Sequence, residues 1–247
     1  MEATFIGHAT VLLNMSGTQI LTDPVFSERI FFIRRRSPVK VLPETIEPSA
    51  ILISHAHYDH LDIPSLKYFR STVPILLPVG LAPLLSKFVR NPLIEIAHHS
   101  SYHLEDGTEI SAFPVKHVGF RISGLRYRTC NGYLIRKKEE SVFFPGDSAY
   151  TPQLCEVAEG RPIDLALLPI GCYEPKWFMK NRHMNPEEAV QLFEELKAKV
   201  MIPIHWGTFP ISLEPIGAPL EWILRLQAEK GLDDRLRILK HGESTTL

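Results

Sequence analysis

The stretch SHAHYDHL, Ser54 to Leu61, puts three imidazoles and a carboxylate within six positions. It follows the apolar run Ala50 to Ile53, so a strand delivers these groups to its end. If the chain turns there, His55 and His57 can face one cation while Asp59 and His60 face a second. Without a cation, such crowding of polar groups would give little stability in return. Zn²⁺ accepts imidazole and carboxylate donors, and Fe or Mn tolerates the same set. Each ion still needs ligands from elsewhere, and three candidates follow other strand-like runs: His117 after SAFPVK, Asp147 in FFPGDS and His205 in MIPIHWG. Asp147 is the natural bridge, because a carboxylate has an oxygen for each ion.

Two cations about 3.5–4 Å apart would hold a hydroxide at neutral pH and polarise a phosphoryl or carbonyl oxygen under attack. A leaving alkoxide then needs a proton. His183 in KNRHMNP lies just before a capped helix, where it can either assist the substrate or organise the helix start. Asp59, Asp147 and His183 are therefore the catalytic candidates. Tyr173 and Glu174, in GCYEP, are candidates for the substrate rim. A ligating imidazole usually donates its other N–H to a carboxylate or carbonyl. Asp23 in LTDP suits that task, with a turn-capping role as the alternative, and His8 in GHAT can support the metal loop or pack against it.

These residues need a scaffold that gathers strand ends. Nine short apolar runs (ATVLLN, TQILTDP, SAILIS, PILLPVG, EISAFPV, NGYLIR, SVFFPGD, IDLALLPI and VMIPIH) read as strands, some buried on both faces. Between them NPEEAVQLFEELKAK predicts a helix: Asn185 caps, Pro186 takes the first position and Glu188 closes a capping box. Ala189, Leu192, Phe193 and Leu196 share its apolar face. APLEWILRLQAEKG predicts another helix, stopped at Gly231. Weaker patterns predict helices over 63–70, 81–89 and for a turn or two after Thr151. The expectation is two sheets back to back with helices outside them, in a single domain over 1–247.

The 247 residues, 45% hydrophobic and 22% charged, support a sizeable core. A net charge of -1 gives no field that would draw the molecule to nucleic acid, and no basic stretch interleaved with aromatics is long enough to track a strand. Three cysteines without a C-x-x-C pair read as reduced thiols of a cytoplasmic protein, and no leader-like or membrane-spanning apolar run is seen. The segment ERIFFIRRRSPVK leaves two readings open. Phe31, Phe32 and Arg34 to Arg36 are exposed together and suit peripheral contact with an anionic lipid surface, or the aromatics are buried and the arginines solvated. The oligomeric state is not legible.

Taken in order, IGHATVLL, LTDPVFS, RRSP, LISHAHYDHLD, GDSAY, EPKWFMKNRHMNPEEAV and IHWGTF resemble the metallo-β-lactamase fold superfamily, and within it the branch of N-acylphosphatidylethanolamine-hydrolysing phospholipase D. The resemblance implies an α+β fold, a four-layer αββα sandwich with a dinuclear site at one edge. It implies two Zn²⁺ per chain: one on His55, His57 and His117, the other on Asp59, His60 and His205, with Asp147 between them. It also implies a functional histidine at His183 and a phospholipase D-type phosphodiesterase. A lactonase or sugar-phosphate hydrolase using the same centre is the alternative, and a non-catalytic metal-binding scaffold the remote one. Two features depart from the pattern. The sequence starts close to the first motif, and His98 and His99 stand where bulky aromatics are expected, in what reads as a polar loop extending to His103.

Overall fold

The computed structural model describes residues 1–121 and 129–247. The chain opens with three antiparallel strands, β1 (Glu2–Gly7), β2 (Thr10–Met15) and β3 (Thr18–Thr22). A two-stranded ribbon follows, β4 (Arg29–Ile30) with β5 (Ile33–Arg34). The chain then alternates β6 (Ala50–Leu52), α1 (Ile63–Leu66), β7 (Ile75–Pro78), α2 (Ala82–Leu85) and β8 (Leu93–Ile96), laying β6, β7 and β8 parallel beside β3.

The second half repeats the logic. β9 (Ser100–His103), β10 (Glu109–Pro114), β11 (Asn131–Lys137) and β12 (Glu140–Phe144) form an antiparallel meander. After α3 (Gln153–Glu156), the parallel strand β13 (Leu165–Pro169) is added. α4 (Lys176–Met179) and α5 (Pro186–Glu195) then lead to β14 (Val200–Ile204), parallel to β13. Finally α6 (Ala218–Lys230) returns the chain to β15 (Glu243–Thr246), which pairs with β1. The result is a seven-stranded sheet ordered β15-β1-β2-β3-β6-β7-β8 facing a six-stranded sheet ordered β14-β13-β12-β11-β10-β9.

Side-chain alternation shows why the parallel strands read as unbroken apolar runs. Ile20, Ala50, Leu52 and Leu76 point into the core between the sheets, together with Tyr133 and Phe143 from the opposite sheet. Their neighbours Leu21, Ile51, Ile53, Ile75 and Leu77 point the other way, into a second core with Leu66 and Leu85 from the helical segments outside. Both faces are dry, so no polar residue interrupts the pattern. On the far side α5 lays Ala189, Val190 and Phe193 over β13 and packs against α6. Helix, sheet, sheet and helix make the αββα sandwich.

The capping box forms as the sequence predicts: the Asn185 side chain accepts from the Glu188 N–H at 2.9 Å, and Glu188 accepts from the Asn185 N–H at 3.0 Å. α6 ends at Gly231, whose left-handed φ of 62° lets the chain turn away. The three weaker helices form, but each is a single turn, α1, α2 and α3. The stretch read as a polar loop through His103 instead holds β9, an exposed edge strand whose sequence SSYH carries no apolar alternation. Among the described residues no helix is long and apolar enough to cross a membrane.

Candidate metal centre

An even number of antiparallel steps separates β1 from β3, and β10 from β12, so each pair runs the same way. With the parallel neighbours β6, β13 and β14, the C-terminal ends of these strands share one edge of each sheet. His8, Asp23, His55, His117, Asp147 and His205 each lie one to three residues beyond such an end. A rigid scaffold thus brings together groups far apart in sequence. Gly146 makes the turn that aims Asp147: its φ is 60°, and a Cβ there would stand 2.5 Å from the Ser54 Cβ.

Two groups of donors result. In the first, the His57 Nδ1 lies 2.9 Å from His55 Nε2 and 3.2 Å from His117 Nε2. Asp147 Oδ2 stands 3.7 Å from His55 Nε2 and 3.9 Å from His117 Nε2. In the second, Asp59 Oδ2 lies 3.6 Å from His60 Nε2 and 3.5 Å from His205 Nε2. Asp147 reaches this group too, with Oδ2 at 3.2 Å from His60 Nε2 and Oδ1 at 3.2 Å from His205 Nε2. One carboxylate therefore faces both groups.

Hydrogen bonds outside the cluster decide which ring nitrogens carry protons. His60 Nδ1 lies 2.7 Å from Asp23 Oδ2; a carboxylate only accepts, so the proton is on Nδ1. His117 Nδ1 donates to the Arg182 carbonyl at 2.9 Å for the same reason. The Ser54 hydroxyl donates to Asp23 Oδ2 at 2.5 Å, which leaves its oxygen to accept from His55 Nδ1 at 2.9 Å. His55 and His117 then turn a bare Nε2 toward the cluster, and His60, with Nδ1 holding its own proton, offers Nε2 there once a cation displaces the second proton. The buried atoms His60 Nε2, His205 Nε2 and Asp147 Oδ1, all facing the cluster, have no hydrogen-bond partner. Lone pairs converging without donors fit a metal cation, and this donor set suits zinc, iron or manganese.

The charges agree. Burial lowers the pKa of His55 well below the usual histidine value and that of His57 to about 4, so both rings are neutral donors. Burial also lowers His117. In the second group burial is overridden: Asp147 and Asp59 raise His205 to about 9 and, with Asp23, raise His60 well above the ordinary value. Burial would raise the two carboxylates, yet the surrounding histidines hold Asp59 and Asp147 well below the usual range. The pocket asks for positive charge, as protons or as a cation.

His183 joins the cluster, with Nδ1 3.8 Å from Asp147 Oδ2 and its ring 4.9 Å from that of His117. His8 stands behind the second group, its Nε2 2.9 Å from Asp59 Oδ2. Tyr173 and Glu174 are not brought in. The Tyr173 ring packs edge-on against Trp222 of α6 at 5.5 Å, and the Glu174 carboxylate accepts from the Lys176 N–H at the start of α4. Their backbone belongs to a loop gripped by Glu214, which accepts from the N–H groups of Cys172 and Glu174 at 2.5 and 3.0 Å. The sequence reading missed Ser54, the hydroxyl that links Asp23 to His55, and Arg182, whose carbonyl orients His117.

In the ERIFFIRRR segment the aromatics are exposed rather than buried, and the three arginines differ. Phe31 and Phe32 are 62% and 74% exposed, and Phe31 stacks on Tyr58 of the metal loop at 5.7 Å. Arg34 and Arg36 are exposed, but Arg35 is buried, donating to the Val25 and Ser27 carbonyls. Phe120 stands edge-on to His57 at 5.2 Å, and Trp177 on α4 is 78% exposed.

Such a sandwich with an H-x-H-x-D-H turn at its edge defines a class. Residues 18–206 match the model of the beta-lactamase superfamily domain, and the chain belongs to that superfamily. Over 238 residues it is 34% identical to the N-acyl-phosphatidylethanolamine-hydrolyzing phospholipase D 1 of Caenorhabditis elegans, covering 85% of this chain and 65% of the worm protein. The chain thus spans about two thirds of that relative's length. It is also 27% identical to a UPF0173 metal-dependent hydrolase of Bacillus thuringiensis over the whole of both chains. The crystal structure of a possible metal-dependent hydrolase from Veillonella parvula superposes with a TM-score of 0.84 at 14% identity, covering 100% of this chain and 99% of that one.

Proposed function

We propose that this chain is a zinc-dependent phosphodiesterase of phospholipase D type, acting on N-acylphosphatidylethanolamine-like lipids. The observation that carries the reading is Asp147, whose carboxylate lies within 3.2–3.9 Å of histidines from both donor groups. His55, His57 and His117 would hold one Zn²⁺, Asp59, His60 and His205 the other, and Asp147 both; Fe or Mn suits the same donors. Bound there, two cations supply an activated water and charge stabilisation at the phosphoryl group.

The chain's own residues do the rest. Asp23, Ser54 and the Arg182 carbonyl keep the ring protons away from the cluster, so the bare nitrogens stay aimed. Burial holds His183 well below the ordinary histidine range, so its ring rests neutral. Its Nδ1 is buried without a hydrogen-bond partner and can accept the proton given up by the attacking water and pass it to the departing alkoxide, which leaves as the alcohol. The lipid substrate is supported by likeness to the worm enzyme and by the apolar rim. Phe31, Phe32, Phe120 and Trp177, all more than half exposed, stand beside exposed Arg34, Arg36 and Lys176, a combination suited to peripheral contact with a membrane surface.

The test is a side-by-side assay of N-acylphosphatidylethanolamine in mixed micelles, a chromogenic phosphodiester and a lactone. Lipid hydrolysis that disappears in Asp147→Asn and on chelation is expected. Brisk lactone cleavage with no lipid turnover would reverse the choice of substrate, and no turnover of any of the three by metal-loaded protein would reduce it to a metal-binding scaffold.

A further inference from the structure

His8 sits in the left-handed region, with φ of 56°. A non-glycine residue there costs on the order of 1 kcal/mol and persists only where its surroundings hold it. Here they do. Its N–H donates to the Thr208 hydroxyl at 2.8 Å, and its carbonyl accepts the His205 N–H at 2.7 Å. The ring is buried, lies 4.0 Å from the His205 ring and puts Nε2 2.9 Å from Asp59 Oδ2. Because the carboxylate can only accept, that contact places the ring proton on Nε2.

One strained residue therefore fixes two members of the same donor group by different means, Asp59 through its side chain and His205 through its main chain. Among the described residues no hydrogen bond joins it to His55, His57 or His117. Two of these take their orientation elsewhere, His55 from Ser54 and His117 from the Arg182 carbonyl.

We infer that His8 is a positioning residue for the second donor group alone, and that its Nε2–H bond to Asp59 sets how tightly that group holds a cation while leaving the first group unaffected. The inference rests on the reading that both groups hold metal. Removing a hydrogen-bond partner from a ligand typically weakens metal binding ten- to a hundredfold. Glutamine can offer an N–H where the ring's Nε2–H stood, and leucine cannot. Leucine and glutamine both lack histidine's tolerance of the left-handed region, so the comparison of these two variants isolates the hydrogen bond.

The experiment takes zinc-loaded wild-type, His8→Leu and His8→Gln proteins, dialyses them against a series of buffered free Zn²⁺ concentrations and measures zinc per chain. Wild type is expected to hold two ions. His8→Leu should release one of them at free Zn²⁺ ten- to a hundredfold higher than wild type does, keep the other at the wild-type level, and be restored within a few-fold in His8→Gln. Both ions shifting together, neither shifting, or glutamine failing to restore would overturn the inference. Wild type holding no zinc would instead overturn the reading beneath it. A second measurement needs no variant. The ¹⁵N spectrum of His8 in the native chain should show a neutral ring protonated at Nε2, with a signal that moves with one of the two zinc equivalents and not with the other. An Nδ1-protonated ring, or a signal that moves equally with both equivalents, would also overturn the inference.

Discussion

Replacing Asp23 by asparagine changes one atom and should disturb both donor groups. The buried carboxylate accepts three hydrogens: from the Ser54 N–H at 2.7 Å, the Ser54 hydroxyl at 2.5 Å and His60 Nδ1 at 2.7 Å. An amide cannot accept all of these. If its NH₂ replaces Oδ1, it faces the Ser54 N–H, donor against donor. If it replaces Oδ2, it faces the hydroxyl and His60. The hydroxyl can then turn to accept from the amide and donate to His55 Nδ1, which drives the His55 proton onto Nε2, where a bare nitrogen is needed. His60 is left with an unpaired Nδ1–H or moves its proton to Nε2 with the same result. A buried donor without an acceptor costs about 1–3 kcal/mol of folding stability. Lost orientation of a ligand costs roughly 10–100-fold in metal affinity, or about 1.4–2.8 kcal/mol. The assay is denaturant unfolding of metal-free protein, with zinc per chain measured after dialysis at set free zinc. Ser54→Ala is the comparison, since it removes only the branch to His55. A folded Asp23→Asn protein with wild-type affinity for both ions and an unchanged unfolding midpoint would refute this account of the proton positions.

His241 gives a pH-dependent term away from the cluster. It lies between Phe5 and Trp206, at 5.0 and 5.6 Å, with Nε2 2.9 Å from the Thr208 hydroxyl; burial, then Arg35 and Lys40, lower its pKa to about 4. An unfolded histidine titrates near 6.5, so between pH 6.5 and 4 the unfolded chain binds a proton that the folded chain refuses. Stability must therefore fall as pH falls through that window, by on the order of 2 kcal/mol once partial exposure is allowed for. Subtracting the stability–pH curve of His241→Gln should remove this slope, and identical slopes would contradict it. Asn185→Ala should cost about 1 kcal/mol through loss of the capping box, read as a shift in unfolding midpoint; no shift would mean that the box adds nothing to α5.

How much was legible depends on what each residue answers to. The strands buried on both sides were plain in sequence because both faces of β6, β7 and β13 are dry, leaving runs such as AILI and LALLP. The edge strands β9 (SSYH) and β15 (ESTT) were not, because a mostly exposed strand is held by backbone pairing that has no side-chain signature. In the same way Arg35 read as one of three solvated arginines, whereas its guanidinium is used indoors to hold the carbonyls of Val25 and Ser27. The loop of Tyr173 and Glu174 answers to a distant partner: Glu214, forty residues downstream, accepts from the N–H groups of Cys172 and Glu174, a contact that no local pattern announces.

Both donor groups draw on distant segments. In the first, His55 and His57 share a turn and Ser54 orients His55 from the adjacent position, but His117 comes from beyond the end of β10 in the opposite sheet, and its ring is held by the carbonyl of Arg182, 65 residues further on. The second is likewise assembled across the molecule. Asp23 reaches His60 from the end of β3, His8 reaches Asp59 from the end of β1, and His205 arrives on β14 of the opposite sheet to donate its N–H to His8. Both geometries therefore exist only when the two sheets are packed in register, because His117 and Asp147 of the first group, and His205 and Asp147 of the second, come from the sheet opposite the SHAHYDH turn. A cation in either group would bind the packed sandwich and not the open chain, so by mass action it would stabilise the packing that creates its site.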